Sequence, residues 1–219
     1  MKLGTMNRKA VLIDFDGTLV DSLKAVYEVF KAYFEMKGKT FMSPREFERA
    51  FKSDWMEFLR EHGIAVEGGG TAIDGLVNRY ISLVSQAGVE PSMVQALKSL
   101  KDLGFKVAVV SSSMEEAIDS KLKSEDIEVD LIVSGFESRI SDKTKLIKSA
   151  LEKLKIDPRD AVYIGDMKED VEACKKLGVK VIGYAKDVRG KKALEAAGAD
   201  SVILNGKPLI KIVTEILKE

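Results

Sequence analysis

The chain has 219 residues, enough for one full hydrophobic core plus an inserted unit, and its 35 basic and 35 acidic residues give a formal net charge of zero. Charges of both signs mixed along the chain exclude a general nucleic-acid or membrane surface, and no apolar stretch reaches bilayer-spanning length. A single cysteine, Cys174, excludes an intramolecular disulfide framework and reads as a small buried side chain among Val171, Ala173 and Leu177.

Residues 1–9 lack the long apolar core of a signal peptide, so the chain reads as cytoplasmic. The first strand is expected over 10–14, and it runs from Val11-Leu12-Ile13 into Asp14-Phe15-Asp16-Gly17-Thr18. Two carboxylates placed together at the end of a buried strand raise each other's free energy, so a fold rarely puts them there without a cation or a shared proton. Turn chemistry accounts for Asp16-Gly17 but not for Asp14, which lies inside the apolar run.

No strand pattern follows until Pro91. Helical patterns occupy 22–37, 44–62 and 71–87, separated by Gly38-Lys39-Thr40 and Gly68-Gly69-Gly70. Phe51, Trp55, Phe58 and Leu59 recur at helical spacing and are expected to form the core of this insertion. Its hinges are expected near Val20–Ser22 and Gly88–Pro91. The one histidine, His62, leaves no histidine triad or multi-histidine metal site to build and reads as structural or solvated.

Beyond Pro91 strands and helices alternate. Helix 92–103 leads to strand 106–110, which ends in Ser111-Ser112-Ser113, and helix 114–124 and strand 129–133 follow. Helix 143–155 precedes strand 161–164, which ends in Gly165-Asp166 with Asp170 four residues on. Helix 168–177, strand 180–184, helix 189–197, strand 201–204 and helix 208–218 complete the chain. This βαβ alternation predicts a parallel sheet in a three-layer α/β/α arrangement. Ligands bind at the carboxyl ends of such strands, where Asp14 and Asp16, Ser111, and Asp166 and Asp170 would converge. The three serines also suit capping of the helix that starts near Met114, and both roles can hold together because a helix N-terminus attracts anions.

Asp14 to Ser22 reads DxDGTLxDS, Val109-Val110-Ser111 is an apolar strand ending in a hydroxyl, and Gly165 to Asp170 reads GDxxxD. In this order and spacing the motifs resemble the haloacid dehalogenase superfamily of phosphohydrolases, from Lys9 to the end of the chain. The resemblance implies a Rossmann-like three-layer α/β/α core with a parallel sheet, made of 1–19 and 89–219. It also implies a small all-helical cap domain of the C1 type, 20–88, inserted after the first strand. Asp14 would be the nucleophile that forms an aspartyl-phosphate, and Asp16 the general acid that later serves as base. Hard oxygen ligands beside a phosphate select Mg²⁺. Asp14, Asp166 and the backbone carbonyl of Asp16 would bind it, with Asp170 a further ligand or a support. Ser111 through its hydroxyl and Ser112 through its N–H would hold the phosphoryl group.

The family's third motif is a lysine. Asp142-Lys143-Thr144-Lys145 offers two, of which Lys143 lies nearer the start of the helix. The implied substrate is a small-molecule phosphate ester such as phosphoglycolate or a sugar phosphate, with no nucleic-acid or membrane partner and a monomer or homodimer as the working form. A β-phosphoglucomutase-like mutase shares every core motif and stays open as the alternative. A phospho-accepting receiver domain would carry its aspartate after the third strand, where Leu131-Ile132-Val133 is followed by Ser134. A dinucleotide-binding domain would need G-x-G-x-x-G after the first strand, which is absent.

Overall fold

The computed structural model describes residues 9–52, 55–64 and 71–218. Strands β1 (Ala10–Ile13), β2 (Lys106–Ser111), β3 (Leu131–Ser134), β4 (Ala161–Gly165), β5 (Lys180–Tyr184) and β6 (Ser201–Ile203) form a parallel sheet ordered β3-β2-β1-β4-β5-β6. The helices are α1 (Leu23–Met36), α2 (Pro44–Ala50), α3 (Trp55–Glu61), α4 (Thr71–Gln86), α5 (Pro91–Asp102), α6 (Glu115–Ser124), α7 (Lys143–Leu154), α8 (Lys168–Leu177), α9 (Val188–Ala197) and α10 (Leu209–Ile216).

The strands are nearly continuous apolar runs because both sheet faces are covered. Side chains alternate across the sheet, and the chain pairs each face with its own helices. Val11, Ile13, Val109 and Ile164 pack with Leu97 of α5, Ile118 of α6 and Val213 of α10. Leu12, Val110 and Tyr163 pack on the other side with Ile147 of α7, Cys174 of α8 and Leu194 of α9. This is the expected Rossmann-like three-layer α/β/α core. Among the described residues no helix is long and apolar enough to cross a membrane.

The register sets the site. Ile13 stands opposite Val109 on one side and Ile164 on the other, so β1, β4 and β2 end within two residues of one level. The Asp14 N–H donates to the Ile164 carbonyl at 2.9 Å, which carries the pairing one residue past β1. From β1 the chain builds outward through β2 and β3, then returns to add β4 on the opposite flank. The crevice at this reversal is where a doubly wound sheet binds ligands.

Between β1 and α5 the described residues form helices joined by loops, and no strand of the sheet. Ser43 opens α2 with a reciprocal capping box to Glu46, and Pro44 fills the first helical position. The expected continuous helix 44–62 is broken: Phe51 is extended at φ −65° and ψ 135°. That turn brings its ring against Phe47, Phe30 and Phe58, with centroids 4.9, 5.7 and 5.8 Å away. Burial of aromatic surface outweighs helical continuity here. Gly68-Gly69-Gly70 lies outside the described residues. Phe47 and Phe58 are continuous with one core layer, while Phe34, Leu59 and Ile64 form a separate small cluster. His62 closes α3, its Nδ1 lying 2.7 Å from the Phe58 carbonyl.

The two linkers run side by side, since Val20 bridges to Val89 and the Asp21 N–H donates to the Gly88 carbonyl at 2.9 Å. One strand lies later than its sequence pattern, 131–134 rather than 129–133. Asp130 is drawn out of it because its carboxylate accepts from the Val107 N–H at 2.9 Å and pairs with Lys106 and Lys101.

Candidate active site

Asp14 follows β1 directly and is 4% exposed. One carboxylate oxygen accepts from the Phe15 N–H at 2.7 Å, and the other lies 2.5 Å from the Lys143 ammonium. Lys143 is the first residue of α7, fixed there because Asp142 caps the helix by accepting from the Thr144 N–H at 2.9 Å. The ammonium, 4% exposed, also reaches Asp170 at 3.4 Å and the Tyr163 hydroxyl at 3.0 Å. Lys145, two residues along the helix, is exposed.

Asp166 follows β4 and accepts from the Thr18 hydroxyl at 2.8 Å. Asp170, in the first turn of α8, is fully buried and accepts from the Met167 N–H at 3.0 Å. Among the described residues, Asp14, Asp166 and Asp170 each offer a carboxylate oxygen within 4.8 Å of the others. Two glycines permit this crowding. A Cβ on Gly17, which sits at φ +78°, would lie 2.4 Å from an Asp166 oxygen, and one on Gly165 would lie 2.4 Å from an Asp170 oxygen.

Three carboxylates share one ammonium, so the cluster carries surplus negative charge in a poorly solvated place. Burial pushes the Asp14 carboxyl up to about 7 despite Lys143, and Asp170 adds to the rise. Burial likewise pushes Asp166 up to about 8, with Asp14 and Asp170 adding repulsion. Burial alone would lower the Lys143 ammonium, but Asp14 and Asp170 outweigh it and hold the group above its ordinary value. Hard oxygen donors that leave an excess of two negative charges once all three are ionised fit a small divalent cation. Asp14 and Asp166 line the cleft, whereas Asp170 is too deep to line it and holds Lys143 and the Met167 N–H.

Asp16 points elsewhere. Its side chain lies outside the three-carboxylate group and is engaged by hydroxyls. One oxygen accepts from Ser22 at 2.5 Å and from Tyr80 of α4 at 2.7 Å, and the other accepts from Ser113. Ser111 ends β2, is 1% exposed, and accepts from the Ser113 N–H at 3.2 Å; Ser112 lines the cleft beside it. The serines do not cap α6. Met114 takes the N-cap position without a side-chain bond, and the Glu115 N–H donates to Glu137 at 3.1 Å. Ser113 is instead spent on Asp16.

Tyr80, Ser113, Thr18 and Tyr163 were not singled out for the site by the sequence patterns. A tyrosine in a buried strand must find a hydroxyl partner, so Tyr163 carried a faint signal. Tyr80 carried none, because a tyrosine on an amphipathic helix reads as core. The site opens into a cleft of about 1150 Å³ lined by Asp14, Asp16, Lys143 and Asp166 from the sheet side. Phe30, Arg45, Arg49, Trp55 and Tyr80 line it from the helical segment. Trp55 stacks across it on Phe136, which follows β3, with ring centroids 5.6 Å apart and planes 27° from parallel. Cys174 is buried beside Asp170, and burial raises its thiol well above the ordinary range.

A family model described as haloacid dehalogenase-like hydrolase matches residues 11–184. The phosphoglycolate phosphatase of Aquifex aeolicus is 27% identical over 202 residues, covering 81% of this chain and 87% of that protein. The pyrophosphatase PpaX of Bacillus velezensis is 24% identical over 213 residues, covering 93% and 95%. A solved structure, a predicted phosphatase from Clostridium acetobutylicum, superposes with a TM-score of 0.81 at 25% identity, covering 95% of this chain and 99% of that one.

Proposed function

Since the chain belongs to the haloacid dehalogenase-like hydrolase family, we propose that it is a Mg²⁺-dependent phosphatase acting on a small phosphorylated metabolite. The observation that carries this reading is the cluster of buried Asp14 and Asp170 with half-buried Asp166 around Lys143, at the ends of β1 and β4. Asp14 attacks phosphorus and forms an aspartyl-phosphate while the leaving oxygen takes a proton from Asp16. Asp16 then removes a proton from water, whose oxygen attacks the same phosphorus; inorganic phosphate leaves and Asp14 is regenerated. Lys143 offsets the charge of Asp14 and of the phosphoryl oxygens, and the Ser111 hydroxyl and the Ser112 N–H hold that group.

Asp14, Asp166 and the carbonyl of Asp16 would hold Mg²⁺, with Asp170 supporting them through Lys143 and the Met167 N–H. The ion supplies Lewis-acid stabilisation of the phosphoryl charge when bound. The helical segment 20–88 acts as a cap that shields the reaction from bulk water, and 1–19 with 89–219 forms the core. Arg45 and Arg49 on the cap side of the cleft suit a second anionic group on the substrate. The names of the two relatives, one acting on phosphoglycolate and one a pyrophosphatase, agree with such a substrate. A cytoplasmic location completes the reading.

The test is a panel of small phosphate esters incubated with Mg²⁺, scoring released phosphate and, for sugar phosphates, the isomer as well. Phosphate release that EDTA silences supports the reading. Isomer without phosphate, or release indifferent to the chelator, contradicts it.

A further inference from the structure

The acid–base group of the proposed reaction is held from two directions. One oxygen of Asp16, Oδ1, accepts from Ser22 at 2.5 Å and from Tyr80 at 2.7 Å. Its other oxygen, Oδ2, accepts from Ser113, whose N–H donates to the Ser111 hydroxyl oxygen at 3.2 Å. Oδ2 therefore faces the loop that carries Ser111, while Oδ1 is tied to the linker and to the helical segment. The hydroxyl oxygens of Tyr80 and Ser113 lie 2.9 Å apart, which closes a ring of contacts around the carboxylate. A carboxylate turns about its Cβ–Cγ bond with little resistance. Two hydroxyls converging on one oxygen from separate parts of the chain stop that rotation.

Tyr80 is suited to this task. Its hydroxyl rides on a rigid ring that is only 7% exposed, so the position of the oxygen follows the position of α4. That helix is seated on the core: Val84, one turn further on, is fully buried. The Lys121 ammonium of α6 reaches the Ser85 carbonyl at 3.3 Å.

We propose that Tyr80 is a positioning residue of the reaction: its hydroxyl, with that of Ser22, clamps Oδ1 of Asp16 so that Oδ2 faces the Ser111 loop, and protonation of the leaving group depends on the seating of α4. The inference rests on the reading of Asp16 as the proton donor. No atom of Tyr80 takes part in bond making; the proton still passes from Asp16 to the leaving oxygen.

The experiment compares wild type, Tyr80→Phe, Ser22→Ala and Val84→Ala in saturating Mg²⁺ on an alkyl phosphate and on p-nitrophenyl phosphate. The quantity read is kcat/KM, which covers the steps up to departure of the leaving group. An alkoxide needs a proton to leave and p-nitrophenolate does not. Tyr80→Phe is expected to lower kcat/KM about tenfold for the alkyl ester and no more than about twofold for the nitrophenyl ester. Ser22→Ala is expected to show the same preference. Val84→Ala loosens the helix that seats Tyr80 without removing a hydroxyl, so it should lower the melting temperature and show a weaker form of the same preference; both esters scaling alike would overturn the dependence on α4. Equal losses on the two esters, or none, in both hydroxyl variants would overturn the proposal while leaving the phosphatase reading intact. A wild type that hydrolyses neither ester overturns that reading and this inference with it.

Discussion

Replacing Lys143 with methionine keeps most of the side-chain volume and removes the one ammonium from the carboxylate cluster. The group is 4% exposed and lies 2.5 Å from Asp14, 3.4 Å from Asp170 and 3.0 Å from the Tyr163 hydroxyl. Breaking a buried ion pair from one side costs about 3–5 kcal/mol when the partner stays charged. Asp14 is already pushed up to about 7, so it can take up a proton once the lysine is gone. That places the loss near the lower end, about 3 kcal/mol at neutral pH, and makes it grow as pH rises. In a domain of this size each kcal/mol moves the melting temperature by about 2–4 °C, so the variant should melt about 6–12 °C lower. Activity should fall by about 10²–10³-fold in kcat, the usual effect of losing one preorganised charge or donor at a reacting oxyanion. Thermal unfolding of the metal-free protein and steady-state kinetics with Mg²⁺ measure both, with Lys145→Met as the exposed comparison expected to change neither. A Lys143→Met protein that melts with wild type and turns over normally would rule out this role of the ammonium, as would a crippled Lys145→Met.

Gly17→Ala should be more damaging than its size suggests. The left-handed backbone alone costs about 1–2 kcal/mol, and the new Cβ, placed 2.4 Å from an Asp166 oxygen, must displace that ligand; normal Mg²⁺ affinity in this variant would count against Asp166 as a ligand. Asp14 and Asp166 bind protons more tightly folded than unfolded, so their stabilising contribution is complete below the ordinary carboxylate range and is lost as pH climbs through about 7 and 8. Saturating Mg²⁺ should therefore raise the melting temperature more at mildly alkaline than at mildly acidic pH, and equal shifts would contradict the assignment. Trp55 is the single tryptophan, so its emission reports the stack on Phe136. Phe136→Ala should shift that emission to the red, and an unchanged spectrum would mean that the stack does not form in solution.

The parts of this site that were legible in the sequence are those fixed by the strand ends. Asp14 stood out because a charge inside a buried apolar run has no structural excuse, and the alternation of strands and helices brought Ser111 and Asp166 beside it. Lys143 was separable from Lys145 only through the helix start, which the Asp142 cap sets. What escaped depended on side-chain directions that no pattern encodes. Tyr80 meets Asp16 across 64 residues of sequence, from a helix whose tyrosine matched an ordinary core position. Ser113 matched a helix cap until Met114 was found in that place. Phe51 matched the helical period and left it because its ring is better buried among Phe30, Phe47 and Phe58.

A phosphoryl group carried on Asp14 can be caught by trapping. The Mg²⁺-loaded enzyme is quenched during turnover, acyl phosphate is reduced with borohydride, and the peptides are weighed. Reduction converts a phosphorylated aspartate to homoserine, so homoserine is expected at position 14, in wild type only while substrate is present and never in Asp14→Asn. Homoserine at Asp16 or Asp166, or an unmodified Asp14 in an enzyme caught turning over, would contradict it.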